Sequence, residues 1–101
     1  MALAILNLTS QARFSPGQVV MTIGVDELVR QGRLNPTPYL RRHLDGDWGD
    51  LCDDDRQLND AALKSGGDRL FSSYLVEPGL KLWIITEWDR SVTTLLLPSE
   101  Y

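Results

Sequence analysis

Apolar positions along the 101-residue chain change their spacing from one stretch to the next. "GQVVMTIG", residues 17–24, is rich in β-branched side chains between two glycines and predicts a strand. "VDELVRQG" follows, with Asp26 and Glu27 in a first turn and Gly32 as a left-handed stop, which predicts a short helix. In "NPTPYLRRHLDG" Thr37 caps, Pro38 takes the first helical position, and Tyr39, Leu40, His43 and Leu44 recur at helical spacing up to Gly46. "DWGD" is a tight connection with Gly49 in its turn. "DDDRQLNDAALKSGG" predicts the clearest helix. Asp53 to Asp55 fill its cap and first turn, Leu58, Ala61 and Ala62 form its apolar side, and Gly66 and Gly67 close it.

The pattern then switches to runs of strand type, "RLFSSYLV", "LKLWIITEW" and "VTTLLLP", joined by hairpin-length connections at "EPG" and "DRS". The middle run is apolar on both faces, as a central strand is. Strand, two or three helices, then a three-stranded meander make an α+β fold. The expected sheet is small and antiparallel, with the first strand joining the meander. Residues 14–101 are expected to form one domain, and residues 1–13 an apolar tail that docks as a strand or pairs with a second copy. That tail lacks the basic start of a signal peptide and is too short to span a bilayer, so no membrane role is expected.

Charge adds a local feature. The net formal charge is −4, yet Asp45 to Asp60 holds seven Asp against Arg56 alone, a local −6 that leaves +2 for the remainder. Bulk attraction to nucleic acid is therefore not expected, although Arg30, Arg33, Arg41 and Arg42 lie close in sequence. The single cysteine excludes an internal disulfide and a multi-cysteine zinc site, and fits a reducing cytoplasm.

The residues of metal or acid–base chemistry are His43 with Asp45, Asp47 and Asp50 and, further on, Glu87. Asp45-x-Asp47 starts like a calcium loop, but Gly49, Asp50 and Arg56 stand where that loop needs a ligand, a glycine and a bidentate Glu. Turns bonded to their own backbone account for Asp45 and Asp47, and a helix C-terminus favours a charged His43. No catalytic residue, metal or cofactor is assigned. In "TEWDRS" no second His is present to activate Ser91; a turn, with Asp89 bonded to its own backbone and Arg90 paired with a carboxylate, accounts for these residues. A Gly-rich phosphate cradle at "SGGD" is dismissed, because it follows a helix instead of preceding one.

Acids at a helix N-terminus explain two of Asp53, Asp54 and Asp55; the surplus, with Asp50, predicts an acidic docking surface. Trp83 and Trp88 are expected on opposite faces of one strand, one in the core and one exposed, and an exposed Trp88 beside Arg90 suits a partner interface. Trp48 is expected to plug the Asp-rich loop into the core, and Cys52 to be a buried thiol.

"GDWGDL", "RLFSSY", "WIITEWDRSVTTLLLPSEY" and the Asp55/Asn59/Ala62/Leu63 spacing resemble a family of small uncharacterised bacterial proteins encoded on plasmids and integrative elements. The resemblance covers about residues 14–101. It implies a mobile-element setting and no activity.

The expectation is a non-catalytic interaction protein of a mobile genetic element. It would bind a host or element protein through Asp50, Asp53, Asp54, Asp55, Trp88 and Arg90, and in the sharper version inhibit a defence protein by occupying its nucleic-acid groove. A small metal-dependent hydrolase or nuclease on His43, Asp45, Asp47 and Glu87 is the alternative. A nucleic-acid-binding regulator using Arg30, Arg33, Arg41 and Arg42 is the third. Self-association as a homodimer would use the N-terminal tail or an open sheet edge.

Overall fold

The computed structural model describes residues 12–101. Strand β1 (Gln18–Met21) leads into helices α1 (Ile23–Arg30), α2 (Thr37–Leu44) and α3 (Asp53–Ser65). Strands β2 (Leu70–Glu77), β3 (Leu80–Thr86) and β4 (Val92–Leu96) follow, and a 3₁₀ turn at Pro98–Glu100 ends the chain. The sheet order is β1-β4-β3-β2, so β3 is interior. The α+β architecture is as the pattern predicts. The sheet is mixed, however, because β1 joins β4 in parallel. The expected tail falls outside the described residues up to residue 11. Ala12 and Arg13 already belong to the globule: Ala12 packs on Leu40 and Leu44, and the Arg13 N–H donates to the Leu44 carbonyl at 2.9 Å.

The first helix starts two residues earlier than its acidic turn suggests and takes in Ile23 and Gly24. Its cap comes from the far end of the chain. The Glu100 carboxylate accepts the Gly24 N–H at 2.8 Å, the Leu97 N–H at 2.9 Å and the Thr22 hydroxyl at 2.5 Å. Negative charge at a helix N-terminus is favourable there, and these bonds hold the Glu100 carboxyl below its ordinary pKa.

The register puts Leu70, Ser72 and Tyr74 of β2, Leu82, Ile84 and Thr86 of β3, and Thr93 and Leu95 of β4 on the helix-facing side. Val25 and Leu28 of α1, with Leu34, close over Tyr74, Leu82, Ile84 and Leu95 to form the main core. Each such aliphatic side chain, fully buried, contributes roughly 1.5–3 kcal/mol. Helix α2 adds Leu40 and Leu44. The opposite face carries Phe71, Trp83, Ile85 and Leu96. Across it Trp83 meets Phe71 and Tyr101 edge-on, at ring separations of 5.0 and 5.7 Å. Trp83 is thus half-buried, while Trp88 lies beyond β3 in the hairpin and is 64% exposed.

Helix α3 buries a different side from the one expected. Leu58 and Ala61 are exposed, and Asn59 and Ala62 face inward. The reason is the outer edge of β2. The Asn59 amide donates to the Phe71 carbonyl at 2.6 Å and accepts the Phe71 N–H at 3.1 Å, as a neighbouring strand would. Two residues on, the Ser73 N–H donates to the Trp48 carbonyl at 3.2 Å, and the Asp50 N–H donates to the Ser73 carbonyl at 2.8 Å. Gly49 makes that approach possible. Its φ is +79°, and a Cβ there would collide with the Ser73 carbonyl oxygen.

Two substitutions test this edge. Asn59→Ala leaves both polar groups of Phe71 without their partner and is expected to cost about 1–3 kcal/mol. Gly49→Ala combines a strained backbone with a clash and is expected to cost about 1–3 kcal/mol or more. Urea unfolding midpoints check both; wild-type midpoints would show that the edge does not depend on these contacts.

Candidate functional site

His43 does not stand at a helix end facing solvent. Its side chain is fully buried between Phe14 and Trp48, whose rings meet it edge-on at 5.4 and 5.6 Å. Nδ1 lies 2.6 Å from the Ser72 hydroxyl and Nε2 lies 2.9 Å from the Thr86 hydroxyl. Thr86 in turn meets the Thr93 hydroxyl at 2.7 Å, and Thr93 donates to the Pro16 carbonyl at 2.8 Å. The carbonyl at the end fixes the direction of the chain, because it only accepts. Thr93 has therefore spent its proton on Pro16, Thr86 donates to Thr93, Nε2–H donates to Thr86, and Ser72 donates to Nδ1. The imidazole is a neutral Nε2–H tautomer. Burial, with a smaller contribution from the Arg90 charge, lowers its pKa to about 3. The dipole benefit of a charged ring expected from sequence is therefore not realised. Both ring nitrogens are used, so His43 presents neither a lone pair nor a proton to a substrate.

The other acid–base candidates lie apart from it. Asp45 follows α2 and is exposed. Asp47 pairs with Arg42 at 2.8 Å and accepts the Gly49 N–H at 3.1 Å, which lowers its carboxyl pKa, the Arg42 hydrogen bond most. Arg42 also lies over the Tyr74 ring at 4.6 Å, and the Tyr74 hydroxyl donates to the Asp47 carbonyl at 2.6 Å. Burial raises the pKa of that buried phenol above the ordinary tyrosine value. Glu87 is exposed past the end of β3. Among the described residues, no group of three or more His, Cys, Asp or Glu side chains is placed to hold a metal ion.

The Asp-rich segment divides into two sets. One set is engaged locally. Asp47 serves Arg42. Asp50 meets Lys81 at 3.4 Å; burial pushes its carboxyl up, but hydrogen bonds from Ser73 and Lys81 and the Lys81 charge outweigh this and leave it lowered. Asp60 accepts the Trp48 indole N–H at 2.9 Å, so Trp48 is the anchor expected from sequence. Arg56 holds the loop by donating to the Leu51 and Gly49 carbonyls at 2.9 and 2.5 Å. The other set is Asp53, Asp54 and Asp55 in the first turn of α3, all exposed. None of them takes part in an ion pair among the described residues. Cys52, expected to be buried, is the exposed N-cap of that helix.

The "TEWDRS" hairpin meets the other end of α3. Arg90, at φ +61°, does not pair with a carboxylate. Its guanidinium donates to the carbonyls of Asp68 at 2.5 Å, Glu87 at 3.2 Å, Trp88 at 3.2 Å and Ala62 at 3.1 Å. It is a cation on the carbonyl end of α3, where the helix dipole favours one. Asp89 accepts the Ser91 N–H at 3.1 Å and hydroxyl at 2.6 Å, which lowers its carboxyl pKa. Trp88 and the acidic turn are therefore separated by the length of α3, roughly 20 Å at 1.5 Å per residue for 13 residues.

The arginines noted for nucleic acid are mostly neutralised. Arg30 pairs with Asp26 at 2.8 Å, Arg33 with Glu77 at 3.0 Å and Arg42 with Asp47, leaving Arg41 exposed. A groove of ≈ 340 Å³ runs between α3 and β2, lined by Leu51, Leu58 and Phe71 among others, with Asp55, Asp68 and Arg69 at its margins. The groove carries no signal in the sequence, because apolar spacing along α3 puts Leu58 on its inward side. No helix among the described residues is long and apolar enough to cross a membrane. Comparison with protein-family models, curated proteins and solved structures finds no match.

The buried imidazole predicts a pH dependence. Its pKa is about 6.5 unfolded and about 3 folded, so the unfolded state binds more protons between those values. The contribution to stability is complete above pH 6.5 and falls by up to about 1.4 kcal/mol per pH unit as the pH drops toward 3. His43→Gln, itself less stable, is expected to lack this slope between about pH 6 and 4.5, above the carboxylate range. Urea unfolding across that window checks it; parallel slopes in both proteins would show that His43 titrates normally.

Proposed function

We propose that this is a non-catalytic interaction protein that binds another protein through the outward face of α3. The observation that carries the reading is the Asp53–Asp55 turn, exposed and without ion-pair partners among the described residues, beside a Leu58 that is 68% exposed. Paired acids such as Asp47 and Asp50 are accounted for by the fold, and the helix dipole accounts for two of Asp53, Asp54 and Asp55, whereas the surplus charge beside an exposed leucine is not accounted for. An apolar side chain next to unneutralised charge is what a docking face offers: the charge steers encounter and the apolar group supplies affinity. The exposed Trp88 stands in the hairpin that meets the far end of the same helix and offers a second, separate apolar contact.

The resemblance of residues 14–101 to plasmid and integrative-element proteins supplies the setting, a bacterial mobile element acting in the cytoplasm. The partner in that setting is a host or defence protein with a basic groove made for nucleic acid, which Asp53, Asp54 and Asp55 would occupy. Arg90 belongs to the scaffold of this face, because its guanidinium is already bonded to four carbonyls.

Affinity capture of the tagged protein from its host, with Asp53→Asn, Asp54→Asn and Asp55→Asn combined in a parallel bait, tests the reading. A partner is expected with the wild type and lost, or weakened at least about tenfold, with the triple variant. A partner retained equally by both baits would overturn the acidic face.

A further inference from the structure

The geometry points to the groove between α3 and β2 as the seat of a basic amphipathic helix of a partner protein, with an apolar side chain on its floor and Lys or Arg along its margins. This rests on the reading of α3 as an interaction face. The floor is Leu51, Leu58 and Phe71, in an open groove of ≈ 340 Å³. Leu58 sits in the middle of a 13-residue helix, yet its side chain is 68% exposed while the neighbouring Asn59 is buried against β2. The helix is turned this way because Asn59 must reach Phe71, and the leucine is left facing the groove.

Charge selects the occupant. Asp54 and Asp55 precede Leu58 by four and three residues, so they stand on the same stripe of α3. Asp68 flanks the opposite end of the groove. One cation, Arg69, also lines the groove and is engaged with Tyr101, donating to its hydroxyl at 3.0 Å and lying 5.8 Å from its ring, so a single positive charge stands against Asp54, Asp55 and Asp68. An acidic partner would meet Asp54, Asp55 and Asp68 with like charge, and a neutral apolar one would leave them uncompensated. A helix with an apolar stripe between Lys and Arg satisfies both the floor and the margin.

Two synthetic peptides test the inference. Each is an amphipathic helix of about three turns with a leucine stripe, one flanked by Lys and Arg and the other with Glu in those places. They are titrated into the ¹⁵N-labelled full chain. The basic peptide is expected to shift the amides of Leu51, Asp55, Leu58, Arg69 and Phe71, with an affinity that weakens as salt rises; the acidic peptide is expected to leave the spectrum unchanged. Leu58→Glu, an exchange at an exposed position, is expected to keep the fold by circular dichroism and to weaken basic-peptide binding at least about tenfold. The inference is overturned by equal binding of both peptides, by no binding of either, by shifts that map elsewhere, or by affinity that ignores Leu58→Glu. If the captured partner is lost with the triple Asp variant but kept with Leu58→Glu, the groove is wrong and the interaction face stands. If a partner is kept by both variants, both readings fall.

Discussion

A neutral imidazole holds the helical layer to the sheet. His43 comes from α2, the hydroxyls that meet it come from β2 and β3, and Thr93 of β4 carries the chain on from Thr86 to the carbonyl of Pro16. Each group is fully buried, so water cannot substitute if one partner moves. An apolar contact in its place would tolerate sliding of the helix over the strands. A chain of bonds that ends on one carbonyl does not, because it has a single proton order and a single geometry. The chain thus sets the seat of α2, and with it the entry of residues 47–50 toward β2. That loop and Asn59 then decide which side of α3 faces out. Exposure of Leu58 is the end of this sequence of constraints.

The chemistry that His43 suggests in isolation is undone by the same chain. A histidine near several aspartates invites a metal or acid–base reading, but such work needs an accessible nitrogen. Here the ring is enclosed by Phe14 and Trp48, and the aspartates point to solvent or to Arg42 and Lys81. The Asp-rich segment is not one feature. It is a loop pinned by Asp47, Asp50, Asp60 and Arg56, followed by a helix whose first turn keeps its charge for solvent.

Periodicity made the fold legible to a large extent. The meander, the central place of β3, the three helices and the membership of β1 in the sheet all follow from apolar spacing and glycine stops. The parallel direction of β1 does not, because alternation along a strand says nothing of its neighbour's direction. The site was less legible for a specific reason. Ser72, Thr86 and Thr93 read as ordinary polar interruptions, and their common purpose depends on register between strands. Asn59 reads as the polar side of α3, whereas its amide imitates a strand. Arg90 reads as one half of an ion pair with a carboxylate, because its carbonyl partners carry no sequence signal. In each case a polar group satisfies backbone or core atoms far away along the chain, and local pattern cannot show that.

The covering of β2 has a consequence for how the molecule behaves among copies of itself. An outer strand with unpaired N–H and C=O groups is a template on which another chain can add, and natural sheets blunt such templates. Here the outward groups of Phe71 and Ser73 are taken by one side-chain amide and by the backbone of residues 48 and 50. No charged gatekeeper or proline is spent on that stretch of strand. The protection is conditional on α3 staying docked: a chain whose third helix has come away would display a bare, apolar strand and become a seed for aggregation. The helix that carries the acidic turn is therefore also the guard of the sheet.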